Sequence, residues 1–208
     1  IHQQDLIPGL ANKLLAPIAT AITVVWPALR NYFPGNKTYV IGNPVRQQIT
    51  TPSLANQTLK NLGWAADQPV VLVMGGGTGA EFLNTLIINS LTELTTFAKI
   101  IHLTGERKSI GPANPNYRAF ELAVTDMPAM LQLASLVVTR AGMGTISELS
   151  ALAKPAIIIP LPASHQEANA RFVKEQDAAM VIMQSELNGN KFVESVKKIL
   201  TDERGLTS

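Results

Sequence analysis

The residues whose types and spacing best suit chemistry lie in the turn RAGMGTISE, residues 140–148, which directly follows an apolar run. Gly142 and Gly144 let an anion come close to the backbone at the start of the next helix, where N–H groups are unpaired and the helix dipole is positive. Glu148, one turn into that helix, can accept two hydrogen bonds from a vicinal diol. Taken alone, however, an acidic residue near a helix start more often only complements the dipole.

A second turn, GGGTGA at residues 75–80, is rich in glycine and adds the hydroxyl group of Thr78. Such a loop can cradle a phosphate, and it can equally be a tight turn. Its spacing differs from the dinucleotide motif GxGxxG, and no Gly-Lys-Ser/Thr follows as in a Walker loop. This turn therefore indicates an anion site only in combination with others.

A third turn, LPASHQEANA at residues 161–170, carries polar side chains at the start of a helical segment. His165, Gln166 and Asn169 fall at i, i+1 and i+4, so His165 and Asn169 share one helix face. Their donors and acceptors suit sugar hydroxyls, although the alternative is an ordinary polar first turn. An anion cradle, a diol acceptor and a hydroxyl reader on one sheet edge together indicate a nucleotide sugar.

These turns are positioned by an alternation of short β-branched runs and longer segments of helical period, which starts at Pro69. Strands that are hydrophobic throughout are buried on both faces, so the pattern predicts an α/β fold with a Rossmann-like, doubly wound parallel sheet. Ligands of such sheets bind beyond the carboxyl ends of the strands. The predicted strands are residues 70–74, 98–103, 120–124, 136–139, 156–160 and 178–183. The predicted helices are 80–94, a helix that follows the 140–148 turn and runs through Glu148 to Leu152, 165–176 and 186–200, the last with Ser185 as its N-cap.

The first fifty residues do not show this alternation, and the stretch NYFPGNK, rich in Pro, Gly and Asn, interrupts them. We place a domain boundary between about Gly35 and Thr51. Because Ile1 and His2 resemble the last residues of a strand, we expect the chain to be a fragment of a longer protein. The predicted elements here are a helix at residues 10–19, strands at 21–26 and 38–41, and a helix that opens at Thr51 and Pro52.

The composition excludes several classes of protein. The seventeen basic residues are scattered and aromatic residues make up only 5% of the chain, so no nucleic-acid surface is expected. The absence of cysteine excludes disulfides, thiolate metal sites and a cysteine nucleophile. The longest uncharged run, residues 14–29, is too short for a transmembrane helix and is broken by Pro17 and Pro27.

Six short motifs occur along the chain in the order GNPVR (42–46), GGGTGA, TDM (125–127), RAGMGTISEL, KPAIIIPLP and HQEANA. This order resembles the MurG-type family of GT-B glycosyltransferases. These enzymes transfer N-acetylglucosamine from UDP-N-acetylglucosamine (UDP-GlcNAc) to lipid I, which gives lipid II in peptidoglycan synthesis. The opening HQQDLIPGLANKLLAPIA also resembles the HEQN…PGLxNR segment at the end of the family's N-terminal domain. The resemblance implies that residues 1–42 are a remnant of the acceptor domain and linker, and that residues 43–208 are the donor-binding domain.

The resemblance also implies a donor site, residue by residue. Glu148 corresponds to the glutamate that holds the ribose hydroxyls, and Arg46 to an arginine that suits a bidentate grip on the diphosphate. Gly142, Gly144 and Thr145 correspond to the turn that meets the phosphates. Val124 falls where the family reads uracil through the main chain, while His102, within an apolar strand, is expected to be structural. The other implied donor residues are Gly76 and Thr78 in the glycine loop and His165, Gln166 and Asn169 around the sugar.

The reaction that the resemblance implies is an inverting displacement that uses neither a metal nor a cofactor. Arg46 and the helix start behind Gly142 would stabilise the leaving UDP. The base and the lipid I site belong to the family's N-terminal domain, whose GGTGGH-like motif does not occur here, so no catalytic residue is assigned. The expected location is peripheral, at the cytoplasmic face of the bacterial plasma membrane.

The chain departs from the family at HEQN, where Gln3 replaces the glutamate and Asp5 the asparagine. Alternatives are a transferase with another lipid acceptor, a two-chain enzyme, and a non-catalytic UDP-sugar-binding module. A Rossmann oxidoreductase is poorly supported, because Glu106 comes three residues after its strand, too late for the ribose position.

Overall fold

The computed structural model describes residues 1–51, 55–75, 81–105, 111–121 and 127–202. Within these ranges nine strands form two parallel sheets, and eight α-helices surround them. The strands are β1 (His2–Gln3), β2 (Ile22–Val24), β3 (Thr38–Val40), β4 (Val70–Met74), β5 (Lys99–Leu103), β6 (Tyr117–Phe120), β7 (Leu136–Thr139), β8 (Ala156–Ile158) and β9 (Met180–Val181). The helices are α1 (Leu10–Leu15), α2 (Gln47–Thr50), α3 (Ala55–Asn61), α4 (Glu81–Leu94), α5 (Met127–Leu133), α6 (Met143–Ala151), α7 (Gln166–Glu175) and α8 (Gly189–Thr201).

The larger sheet has the strand order β6-β5-β4-β7-β8-β9. From β4 the chain adds β5 and β6 on one side, then returns to place β7, β8 and β9 on the other. The reversal lies between β4 and β7, which pair in parallel with Val71 opposite Leu136 and Met74 opposite Thr139. This arrangement confirms the predicted doubly wound α/β fold and puts its ligand-binding crevice at the carboxyl ends of β4 and β7.

The core lies on both faces of this sheet, as the uninterrupted hydrophobic strands predict. Leu72 faces one cluster of buried side chains, which includes residues of α5, α6 and α7, while Val71 and Val73 face the other. The second cluster includes Leu83 of α4 and Phe192 of α8, both fully buried. Each such side chain contributes about 1.5–3 kcal/mol relative to an exposed one, so the strands are held firmly on either side.

The smaller sheet, in the order β1-β2-β3, lies around the buried Ile22 and Val24 of its central strand. It contacts the larger unit through Trp26, whose ring centroid is 4.6 Å from that of Phe172 in α7. After β3 the chain turns at Gly42, whose φ of +76° favours glycine. The domain boundary that we predict near this turn stays a prediction.

Several predicted bounds are wrong. The strand predicted at 120–124 is β6, which begins at Tyr117 because the carbonyl of Asn116 already accepts from Ile100 of β5 at 2.8 Å. Ser185 is not the N-cap of α8; it lies in a 3-10 turn, and Asn188 caps the helix by accepting from the Lys191 N–H at 2.9 Å.

Three helical segments also differ from the prediction. The helix predicted at 10–19 is α-helical only to Leu15 and continues as a 3-10 turn, Ala16–Ile18, with Pro17 inside it. Helices α2 and α5 were not predicted, although α5 has Pro128 in its first turn, where a missing N–H costs little. Within the described ranges no helix has the length and apolar character that crossing a membrane requires.

A buried hydrogen-bond chain joins α4 to β5 and β6. Asn84 Nδ2 donates to the Thr104 carbonyl at 2.9 Å, so its Oδ1 accepts from His102 Nε2 at 3.0 Å. His102 Nδ1 then accepts from the Tyr117 hydroxyl at 3.0 Å. His102 is therefore a neutral structural residue, and its burial lowers its pKa to about 4.

This pKa predicts a specific loss of stability in acid. In the unfolded chain His102 takes up a proton near pH 6.5, but in the folded protein only near pH 4. Its contribution is therefore complete above about pH 6.5 and is lost as the pH falls to about 4, by up to about 3 kcal/mol. We expect His102→Gln to remove this part of the pH dependence in urea unfolding between pH 7.5 and 4.

Tyr117→Phe is the matched control, because it deletes the hydrogen bond to His102 but keeps the imidazole. It should lower stability at neutral pH and retain the wild-type slope. A free energy of unfolding whose pH dependence is the same in His102→Gln and wild type would contradict the assignment.

Candidate functional site

The start of α6 lies at the carboxyl end of β7, beside the strand reversal. Gly142 is its N-cap residue, and no side chain caps the helix there. The first N–H groups of a helix have no partner within the helix, so they are available to an anion. Thr145, in the first turn of α6, is half-buried.

The glycines of this turn are not required by the chain itself. Neither Gly142 nor Gly144 has a positive φ, and a Cβ atom at either position would meet no atom within 4 Å. Backbone conformation and internal packing therefore do not require glycine at either position, and both leave the backbone open to close approach.

Glu148, on α6, is paired with Arg46, which immediately precedes α2. Arg46 Nε donates to Oε1 at 2.7 Å and Nη2 donates to Oε2 at 3.1 Å, so the ion pair is bidentate. The Glu148 side chain is 13% exposed and that of Arg46 is 41% exposed. The sequence assigns the two residues to different parts of one ligand, and the structure brings them together across 102 positions of the chain.

The linker that carries Arg46 is fastened to the first turn of α6. Asn43 Nδ2 donates to Ser147 Oγ at 2.9 Å and lies 3.4 Å from the Met143 carbonyl. Ser147 Oγ in turn donates to that carbonyl at 2.8 Å, a common pattern for a serine within a helix. Sequence reasoning missed both Asn43 and Ser147; their positions inside GNPVR and next to Glu148 were the available signal.

Arg140 begins the turn but does not face its open side. Its guanidinium is buried and donates from Nη1 to the carbonyls of Ile159 and Pro160, at 3.1 and 3.0 Å, and from Nη2 to Gln184 Oε1 at 3.0 Å. Burial lowers its pKa from the ordinary arginine value. Arg140 therefore fixes the loop after β8, which leads to His165.

The polar side chains around the start of α7 differ in whether their donors and acceptors are already bonded to the protein. Asn169 is fully buried: its Nδ2 donates to Asp5 Oδ1 at 2.9 Å and to the Ala141 carbonyl at 3.0 Å, and its Oδ1 accepts from the Leu6 N–H at 3.1 Å. Gln166 Oε1 accepts from the Leu161 N–H at 3.1 Å.

His165 is the open member of this group. Its side chain is 53% exposed, with Nε2 3.9 Å from Asp5 Oδ1. As predicted, His165 and Asn169 are one turn apart, since the Asn169 N–H donates to the His165 carbonyl at 3.3 Å. The Asn169 amide is bonded to the protein at both its nitrogen and its oxygen. The sugar contacts expected of His165, Gln166 and Asn169 stay predictions.

Gly76, Thr78 and Val124 lie outside the described residues, so their placement stays a prediction. The flanking elements are described: β4 ends at Met74, next to β7, and α4 begins at Glu81. The roles that the sequence assigns to all eleven donor residues likewise stay predictions. Among the described residues no group of three His, Asp or Glu side chains could hold a metal ion.

Known proteins resemble this chain along its whole length. Curated relatives from Lachnospira eligens (35% identical, 97% of this chain, 58% of the relative) and Bacillus subtilis (32%, 99% and 60%) are both named UDP-N-acetylglucosamine–N-acetylmuramyl-(pentapeptide) pyrophosphoryl-undecaprenol N-acetylglucosamine transferase. The crystal structure of Acinetobacter baumannii MurG matches with a TM-score of 0.70 at 25% identity, over 100% of this chain and 59% of that one.

The chain thus spans about three-fifths of the length of the relatives that it matches. The family model described as the glycosyltransferase family 28 C-terminal domain matches residues 70–207, which include the six-stranded sheet and the α6 turn. The chain therefore belongs to glycosyltransferase family 28, through the C-terminal domain of that family.

Proposed function

We propose that this chain is the donor-binding half of an inverting glycosyltransferase that moves N-acetylglucosamine from UDP-GlcNAc to lipid I and so forms lipid II. The names of the relatives support these substrates. The observation that carries the proposal is the uncapped start of α6 at the strand reversal, with the Glu148 carboxylate one turn behind it.

The geometry suits a uridine diphosphate in a definite direction. The diphosphate would meet the free N–H groups behind Gly142, and the ribose diol would meet Glu148. The sugar would extend toward the exposed side chain of His165. As UDP leaves, negative charge grows on the β-phosphate, and the α6 dipole with the nearby Arg46 guanidinium would stabilise it.

The acceptor side of the reaction belongs to the rest of the relatives' length. We place the base and the lipid I site there, with residues 1–42 as the end of that acceptor domain and 43–208 as the donor domain. We further propose a peripheral position at the cytoplasmic face of the bacterial plasma membrane, where a lipid-linked acceptor is reached.

The test is calorimetric titration with UDP-GlcNAc, UDP-glucose and GDP-mannose. We expect UDP-GlcNAc to bind most tightly, because the proposed site contacts both the uracil base and the N-acetyl sugar. Equal binding of all three ligands would contradict the proposed specificity, and binding of GDP-mannose alone would overturn the proposed donor.

Glu148 should contribute to affinity through the ribose diol. We expect Glu148→Ala to weaken UDP binding by roughly 1–3 kcal/mol, the range for leaving a ligand hydroxyl pair without its charged partner. The discriminating measurement compares UDP with 2′-deoxy-UDP. Wild type should prefer UDP, and the variant should lose that preference; equal losses for both ligands would return Glu148 to a dipole role.

His165 and Asn169 should respond differently to truncation. His165→Ala should weaken UDP-GlcNAc by about 0.5–1.5 kcal/mol, the net value of one hydrogen bond, and leave UDP unchanged. Asn169→Ala should lower the free energy of unfolding by about 1–3 kcal/mol, because it leaves the buried Ala141 carbonyl and Leu6 N–H unpaired. Urea unfolding and ligand titration of both variants would test these two effects. An Asn169→Ala variant with the stability of wild type would contradict the structural role of Asn169.

A further inference from the structure

We infer that the Arg46–Glu148 ion pair is a specificity device: a ligand is favoured only if it replaces Arg46 on Glu148 with a ribose diol and also gives the freed guanidinium a diphosphate. The inference rests on the proposed function and deepens it, because it assigns selection for nucleoside diphosphates over nucleosides to one contact.

The first step of the argument is that the pair and the diol compete. Arg46 uses both oxygens of the Glu148 carboxylate, at 2.7 and 3.1 Å. A vicinal diol, with two donors side by side, addresses the same two oxygens. With Arg46 in place only 13% of the Glu148 side chain is exposed, so a ribose edge gains access to both carboxylate oxygens when the guanidinium moves away.

The second step is that Arg46 can move while its backbone stays in place. The linker is held by the Asn43 bond to Ser147, and the Arg46 carbonyl accepts from the N–H of the buried Ile49 at 3.0 Å. The side chain itself is 41% exposed. The guanidinium is therefore free to exchange partners about a fixed base.

The third step is that the new partner is close. Along α6, Met143 precedes Glu148 by five residues, which is about 7.5 Å of helix axis. A diphosphate at the free N–H groups of the first turn therefore lies within the reach of an arginine released from Glu148. Arg46 would then make a charge-assisted contact with a phosphate instead of a carboxylate.

The energetic consequence has opposite signs for two ligands. Uridine must break the ion pair and gives Arg46 nothing in return, so the pair opposes its binding. UDP breaks the same pair and supplies the replacement. An exposed ion pair changes an equilibrium by up to roughly fivefold, while loss of a charged contact to phosphate changes it by roughly tenfold or more.

The experiment compares wild type with Arg46→Ala for uridine and UDP, with uridine followed by amide NMR shifts because its affinity is low. We expect Arg46→Ala to bind uridine roughly two- to fivefold more tightly and UDP roughly tenfold or more weakly. Arg30→Ala, which removes a positive charge from the 3-10 turn Pro27–Tyr32, is the matched control and should change neither affinity.

Uridine that binds Arg46→Ala no more tightly than wild type, or not at all, overturns the inference. A different result would contradict the proposed function, namely wild-type protein that binds neither UDP nor UDP-GlcNAc. If wild type binds UDP, Glu148→Ala weakens it and uridine is still no tighter on Arg46→Ala, the donor site stands and the specificity device does not.

Discussion

The parallel pairing of β4 with β7 is the contact on which the rest of the structure depends. It joins segments that lie far apart in the chain, with Val71 opposite Leu136 and Met74 opposite Thr139. Because both strands end at the same edge, Gly75 after β4 and Arg140 after β7 follow neighbouring strand ends. Helix α6 starts at this edge with no side chain capping its first N–H groups. A shift of this register would separate the two strand ends.

Polar side chains at both edges of the sheet bond to backbone carbonyls, Arg140 at the carboxyl edge and Lys154 at the amino edge. Arg140 holds the end of β8, and Lys154 Nζ donates at 2.7 Å to the carbonyls of both Gln132 and Ala134 at the end of α5. Gln132 Nε2 donates to the Ile49 carbonyl at 2.7 Å, just beyond Arg46. Partial burial lowers the pKa of Lys154, and the two carbonyls replace part of the water that its ammonium group loses. Each contact gives a backbone carbonyl a hydrogen-bond partner.

The sequence predicts what is local. The runs at 70–74 and 136–139 match β4 and β7 because both are short and rich in β-branched valine, which favours a buried strand over a helix. Contacts between distant residues could not be predicted: Asn169 meets Asp5 across 164 positions, and no local pattern reports that its amide is occupied. The predicted N-cap of α8 was wrong for another reason. Ser185 and Asn188 are both residue types that cap helices well, and only the 3-10 turn that contains Ser185 decides between them.

The structure gives a physical reason for the two departures from the HEQN pattern, Gln3 and Asp5, which lie where the opening segment meets the larger sheet's helix α7. Gln3 is buried, its Nε2 donates to the Asp5 carbonyl at 2.6 Å and its Oε1 accepts from Asn12 at 2.7 Å. A glutamate could not make the first bond, because a carboxylate only accepts. Asp5 retains the acceptor that Asn169 needs and adds a negative charge 3.9 Å from His165. Gln3 therefore holds the opening segment to itself and to α1, while Asp5 ties that segment to α7. Both oxygens of Glu148 bond to Arg46 instead. The departures thus give no physical reason to change the diphosphate and ribose contacts proposed for the α6 turn and the Glu148 carboxylate.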